Sequence, residues 1–315
     1  MKKNLALLVL ISLWSPLGAE MLPKELNDLF RYDAKMPLNF QEQSSFVRDG
    51  VKVRDILFDS PKGGRVPAYI VEPIGPGPHA GIIFGHWGGG VRTEFLDEAM
   101  FYAKAGAVSV LIDYPWVRPA PWRRPVNDFA KPEQDRDVYI QAVVDLRRAI
   151  DFLESRQDID RNRLGYVGHS YGAQWGAILS AVDARLKTAV LVSGIPSLGD
   201  VFMGDDPDMV ELRKALPPGQ LENYLKTVGV LDAVRYVPCA APRALLFQFA
   251  RHERGWDEAV MKRYAAAASD PKDVKWYDTG HETNDIRAVA DRAFWLEKRI
   301  GLKPVLPLLR AKLGV

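Results

Sequence analysis

Short apolar runs alternate with amphipathic stretches from about residue 50 onward. Residues 51–58 and 66–71 read as two strands, joined by the turn Ser60-Pro61-Lys62-Gly63-Gly64, the signature of an antiparallel hairpin. Residues 80–85, 108–112, 164–167, 188–192 and 244–249 are predominantly apolar and too short for buried helices, so they predict central strands. Between them, residues 96–105, 137–154 and the segment after Ala173 carry apolar positions at helical spacing. The 137–154 stretch is the strongest, with Ile140, Val143, Val144, Leu146, Ile150 and Leu153 on one side. A helix over 257–268, a short strand over 274–277, a helix over 286–300 and a docked helix over 304–313 complete the pattern.

An antiparallel start followed by strands alternating with helices predicts an α/β fold: a mostly parallel central sheet with helices on both faces. Residues 194–236 break that rhythm with Gly/Pro-rich turns and two short helical patterns, and are read as a small cap insertion within a single domain spanning 20–315. Residues 20–48 read as an irregular, partly helical lead-in.

The N-terminus follows other rules. Met1-Lys2-Lys3-Asn4 is a short basic start, and residues 5–14 are an apolar stretch too short to span a bilayer comfortably. Ser15-Pro16-Leu17-Gly18-Ala19 breaks the helix and ends in small residues, so a signal peptide cleaved after Ala19 is expected. The mature protein would be secreted or periplasmic, with no stable membrane insertion. The 42 basic and 40 acidic side chains give +2; losing Lys2 and Lys3 leaves 40 of each. A neutral chain without a basic stripe excludes nucleic acid as an expected partner. Cys239 is the single cysteine, so no intrachain disulfide exists, and its place before an apolar strand marks it as a buried structural thiol.

The candidate chemistry centres on Gly168-His169-Ser170-Tyr171-Gly172. A strand enters it and a small-residue helix leaves it, so the chain must turn sharply at Ser170. Glycines on either side remove the Cβ atoms that would block the approach of strand and helix. Such an elbow raises the Ser170 hydroxyl at the helix N-terminus. A hydroxyl is a weak nucleophile and needs a histidine to take its proton and a carboxylate to hold that histidine.

Of five histidines, His79 lies in a loop and reads as solvated, His86 belongs to the glycine loop, His169 adjoins the serine but points away, and His252 ends a strand. Only His281, late in the chain, leaves room for an acid between it and Ser170. Glu253, in the turn after strand 244–249, is the first choice of acid; Asp257 is the alternative, and Asp278 is disfavoured by its closeness to His281. Two backbone N–H groups must face the oxyanion. One is expected from Tyr171; the other from His86-Trp87-Gly88-Gly89-Gly90, with Gly88 favoured and Trp87 second. There is no His-Glu-x-x-His and no Cys/His cluster, so no metal or cofactor is expected. The loop at 115–132, with Trp116, Trp122, Arg118, Arg123 and Arg124, reads with the cap as a pocket lining, and its arginines point to an anionic or sugar-linked substrate.

On Gly85-His86-Trp87-Gly88-Gly89-Gly90, Gly168-His169-Ser170-Tyr171-Gly172, the turn ending in Glu253 and Gly280-His281, the chain resembles the α/β-hydrolase family across residues 50–302. Within it, the resemblance is to the dienelactone hydrolase-like and acyl-peptidase-like branch. Members of that branch usually have Asp where Glu253 stands and Gly where Trp87 stands, and true dienelactone hydrolases have Cys at the position of Ser170. The resemblance implies a serine hydrolase acting on a small-molecule carboxylic ester. A peptidase or amidase of the same fold, and a non-catalytic binding protein that kept it, are the competing expectations.

Overall fold

The computed structural model describes residues 20–314, so the expected leader at 1–19 lies outside the described residues. After a short helix α1 (Lys24–Asp28), three strands β1 (Gln41–Arg48), β2 (Val51–Asp59) and β3 (Arg65–Pro73) form an antiparallel meander. Strand β1 corrects the expectation of an irregular lead-in. Its residues Gln-Glu-Gln-Ser-Ser are polar and exposed, because it adds backbone pairing at the sheet edge and buries no face. It therefore lacks the alternation that marks a half-buried strand.

Strand β4 (His79–Gly85), helix α2 (Leu96–Lys104), strand β5 (Ala107–Ile112) and the long helix α3 (Pro132–Ser155) follow. Next come β6 (Ile159–His169), α4 (Tyr171–Val182) and β7 (Thr188–Val192). The interruption at 194–236 holds three α-helices where two short helical patterns were expected: α5 (Leu198–Phe202), α6 (Pro207–Ala215) and α7 (Gln220–Val228). The chain ends with β8 (Ala244–Ala250), α8 (Glu258–Ala267), β9 (Lys272–Tyr277), α9 (Ile286–Ile300) and α10 (Leu306–Leu313).

Among the described residues, nine strands form one sheet in the order β1-β2-β3-β5-β4-β6-β7-β8-β9. From β5 through β4 to β9 every neighbouring pair is parallel; β3 joins β5 antiparallel. Strands buried on both faces read as continuous apolar runs, and β4, β5, β7 and β8 are buried at every position. Side chains of one strand alternate between two cores. Ile83 joins the cluster built with Val143, Leu146 and Ile178, while Ile82 and Phe84 join Phe95, Met100 and Leu296 on the other face. Because β4, β6, β8 and β9 run parallel, the loops leaving their C-terminal ends all emerge on the same edge of the sheet.

His79 is 8% exposed, with its Nε2 3.4 Å from the Gly75 carbonyl, and so is not the solvated loop residue expected. It opens β4, and pairing with Ile159 draws it inward. Cys239 is buried as expected, and burial pushes its thiol pKa up.

Candidate active site

Strand β6 ends at His169 and helix α4 begins at Tyr171, leaving Ser170 as the only residue in which to turn. Ser170 accordingly adopts φ 56° and ψ −115°, a conformation that L residues avoid unless their surroundings impose it. Its N–H donates to the Val192 carbonyl (2.9 Å), which pins the turn to the neighbouring strand. A Cβ at Gly168 would collide with the Gly172 backbone, and one at Gly172 with the Gly85 backbone. Those two glycines thus allow the elbow to close against both its helix and the loop after β4.

Three loops deliver the partners of Ser170. Nε2 of His281, beyond β9, lies 2.8 Å from Ser170 Oγ. Nδ1 of His281 lies 2.6 Å from Oε2 of Glu253, beyond β8. The other Glu253 oxygen accepts from the backbone N–H groups of Arg254 (2.9 Å) and Gly255 (3.4 Å), which fix the carboxylate's orientation. The Glu253 side chain is 4% exposed and that of His281 29%, so the acid is buried behind a histidine that reaches the cavity. The other carboxylates considered are bonded elsewhere. Asp257 caps α8 by accepting from Val260 N–H at 2.8 Å, and Asp278 pairs with exposed His252 at 2.6 Å.

The glycine loop is held by histidine 86. Tyr114 N–H donates to His86 Nε2 (3.1 Å), so the ring proton sits on Nδ1, which donates to the Trp87 carbonyl at 2.6 Å. Burial drives the His86 pKa down to about 4, keeping the ring neutral as that pairing needs. The Trp87 carbonyl also accepts from Gly90 N–H (3.0 Å). In a trans peptide the N–H points opposite to the carbonyl, so the Gly88 N–H is directed away from His86 and Gly90. Trp116 Nε1–H donates to the Gly88 carbonyl (2.7 Å), anchoring the next peptide. Gly88 approaches the Tyr171 ring so closely that an added Cβ would stand 2.8 Å from its Cδ2. Tyr171 is the first residue of α4, a position whose N–H has no partner within the helix.

The second donor that the sequence allowed, Trp87 N–H, is already engaged: it donates to Glu94 Oε2 at 2.7 Å. Glu94 Oε1 lies 2.7 Å from His169 Nδ1, and His169 Nε2 lies 2.9 Å from the His281 carbonyl. Sequence reasoning did not find Glu94, nor a role for His86 or His169. No spacing rule relates these residues; only the packing of loops from β4, β6 and β9 brings them together.

A cavity of about 1050 Å³ opens above Ser170, with Trp116, Tyr171, Ile195, Val201, Met209 and Trp256 among its walls. Asp206, Asp208 and Glu282 line it against a single arginine, Arg254. The arginines of the 115–132 loop are absent from this lining, which corrects the expectation that they face the substrate; Trp116 of that loop does line it. Arg118 is buried and paired with Asp145 at 2.5 Å; Arg123 donates to the Trp116 carbonyl (3.0 Å) and Arg124 to Gln141 (2.5 Å). Arg123 thus holds the Trp116 backbone, and Trp122 packs on Gly64 instead of the cavity. Among the described residues, no group of three or more His, Cys, Asp or Glu side chains is placed to hold a metal, and no helix is long and apolar enough to cross a membrane.

No protein-family model matches the chain. A curated relative, the uncharacterized protein YcjY of Escherichia coli strain K12, is 25% identical over 162 residues, 51% of this chain and 50% of that protein. The chain thus matches about half the length of that relative. Among solved structures, an acetyl xylan esterase from Paenibacillus sp. R4 is similar with TM-score 0.73 and 21% identity, over 89% of this chain and 96% of that one. Acetyl xylan esterase 1 from Thermoanaerobacterium sp. JW/SL YS485 gives TM-score 0.71 at 17% identity, over 88% and 94%. A glucuronoyl esterase from Solibacter usitatus gives 0.60 at 15%, over 87% and 91%. At such identities the likeness is one of fold, and the chain has the α/β-hydrolase fold.

Proposed function

We propose that the protein is an exported serine hydrolase that cleaves carboxylic esters through an acyl-enzyme. The observation that carries this reading is the unbroken hydrogen-bond path Glu253–His281–Ser170, ending on a hydroxyl held in a strained turn beneath the cavity.

Ser170 Oγ attacks the ester carbonyl carbon while His281 Nε2 takes the hydroxyl proton. Glu253, held by two backbone N–H groups, keeps the proton of the neutral ring on Nδ1 and stabilises the imidazolium that forms. The N–H groups of Gly88 and Tyr171 receive the developing oxyanion. Collapse of the tetrahedral intermediate breaks the bond to the alcohol, which leaves with the proton from His281 Nε2. Water then attacks the acyl-enzyme, giving its proton to His281, and the acid departs as Ser170 regains its hydrogen.

Residues 194–236 act as a cap in this reading, since Ile195, Val201, Asp206, Asp208 and Met209 contribute one side of the cavity. The cavity is large enough for an alcohol well beyond methanol in size. Its aromatic walls and acidic rim suit an uncharged or cationic substrate and disfavour an anionic one. Three structurally similar proteins are named as esterases, which supports ester over other acyl substrates. Export rests on the leader at residues 1–19, and secreted protein beginning at Glu20 is the expected product.

The test compares hydrolysis of p-nitrophenyl acetate and butyrate by the wild type and Ser170→Ala, alongside labelling by a fluorophosphonate. Turnover and labelling that both vanish in Ser170→Ala support the proposal. Cleavage of a p-nitroanilide without ester turnover would assign an amidase, and neither labelling nor turnover would assign a binding protein.

A further inference from the structure

Glu94 uses both of its carboxylate oxygens, and each reaches a different part of the site. Oε2 accepts from the Trp87 N–H of the glycine loop (2.7 Å), and Oε1 meets Nδ1 of His169 in the elbow (2.7 Å). The far nitrogen of the same ring meets the backbone carbonyl of His281 (2.9 Å). We infer that Glu94 is a positioning residue that, through His169, ties the oxyanion loop at Trp87 to the catalytic-histidine loop at His281. The inference deepens the proposed hydrolase function and rests on it.

The proton count shows why the pair belongs together. The His169 ring has a carboxylate on one side and a carbonyl on the other, and both only accept hydrogen bonds. A neutral ring has one N–H and would set a lone pair against one of these oxygens. Two N–H groups satisfy both, so the arrangement fits a ring that donates from both nitrogens, balanced by the Glu94 carboxylate. His169 is 7% exposed, and its largely buried setting strengthens the pairing.

The geometric consequence lies at both ends of the chain of bonds. With Trp87 N–H held by Glu94 and Trp87 C=O held by His86, the peptides on both sides of Trp87 are fixed, and with them the Gly88 N–H. At the other end His281 sits on a short loop, where, among the described residues, Thr283 Oγ1 (3.4 Å) is the one other donor to its carbonyl. His169 therefore sets the backbone from which the His281 ring reaches Ser170, the two rings lying 5.2 Å apart. One carboxylate thus keeps the distance between the base and the oxyanion donors, the spacing a tetrahedral intermediate must match.

Glu94→Gln separates this role from mere charge. Its amide oxygen can accept from Trp87 N–H while its NH2 donates to Nδ1 of a neutral His169, whose Nε2–H still reaches the His281 carbonyl. All three links survive without a formal charge. Glu94→Ala removes them, and Glu94→Asp keeps the charge but withdraws it by one methylene, so it serves if the alanine variant does not fold.

The experiment measures kcat and KM on p-nitrophenyl butyrate for Glu94→Ala, Glu94→Asp, Glu94→Gln, His169→Ala and the Glu94→Ala/His169→Ala double variant. It also records ring-nitrogen NMR shifts of His169 in the Ser170→Ala background. Glu94→Ala, Glu94→Asp and His169→Ala are expected to lower kcat by about 10²-fold, the loss typical of a misplaced catalytic group, with KM changed by less than about threefold. The double variant should be no slower than the slower single, and Glu94→Gln should return to within about threefold of wild type. Both His169 nitrogens should read as protonated in Ser170→Ala, a result independent of whether esters are the substrate. A neutral His169 tautomer there, losses that multiply in the double variant, or a Glu94→Gln enzyme as slow as Glu94→Asp would overturn the inference. Failure of the proposed function would instead appear as a wild type without turnover or labelling beside an intact doubly protonated His169.

Discussion

The carboxylate of Glu253 lies 2.6 Å from His281 Nδ1, although 28 residues separate the two in the chain. Parallel pairing of β8 with β9 places Ala250 opposite Tyr277, so the turns that follow each strand end side by side. The second Glu253 oxygen folds back onto the N–H groups of its own turn, which fixes the carboxylate toward His281. In the proposed mechanism Glu253→Gln removes the charge that stabilises imidazolium and permits the wrong tautomer, so kcat should fall by about 10³- to 10⁴-fold. Asp257→Asn, at a helix cap, should leave kcat near wild type and lower stability by no more than about 1 kcal/mol. Steady-state kinetics beside urea unfolding of the two variants checks both statements.

Gly88→Ala tests the proposed oxyanion donor. The new methyl would stand 2.8 Å from the Tyr171 ring, so the loop must retreat from the nucleophile. Turnover of p-nitrophenyl butyrate should drop by about 10²- to 10³-fold, the effect of losing one oxyanion donor. Fluorophosphonate labelling of Ser170 should slow in parallel, since its tetrahedral adduct needs the same N–H groups.

Arg118 and Asp145 form an ion pair in which both side chains are fully buried. Burial raises the Asp145 pKa, and Arg118 is the main influence acting against it. Arg118→Met leaves a buried carboxylate without its partner and should destabilise the fold by about 3–5 kcal/mol. The double replacement Arg118→Met/Asp145→Leu should recover much of that loss, as measured by urea midpoints.

His86 makes stability depend on pH. Its folded pKa is lowered to about 4 by burial, so the unfolded chain binds the proton more readily. Its contribution is complete above the ordinary histidine range near 6.5 and is lost as pH falls through 4, a change on the order of 3 kcal/mol. Asp232 acts in the opposite sense: burial raises its pKa to about 6, so its contribution is full below the ordinary aspartate value and is lost as pH rises through 6. Urea unfolding between pH 4 and 7 should show a shallower acid loss for His86→Asn than for wild type. Asp232→Asn should show a steeper one.

Short-range pattern alone determined much of this protein. Predominantly apolar runs located β4, β5, β7 and β8, because a strand buried on both faces has few polar positions to disguise it. The elbow was legible because strand, glycines and helix must be contiguous for so tight a turn. The order serine, acid, histidine narrowed five histidines to His281 and a few carboxylates to Glu253 or Asp257.

The tertiary structure decided what no local pattern encodes. Strand β1 is polar because an edge strand buries no face, and the arginines of the 115–132 loop turn inward toward Asp145, Gln141 and the Trp116 carbonyl. Glu94 and His169 are 75 residues apart, and each looks like an ordinary polar residue in its own segment. Periodicity reports which face of an element is buried. Which side chain meets which across the sheet's edge depends on strand order and register, and those are set by the packing of the whole domain.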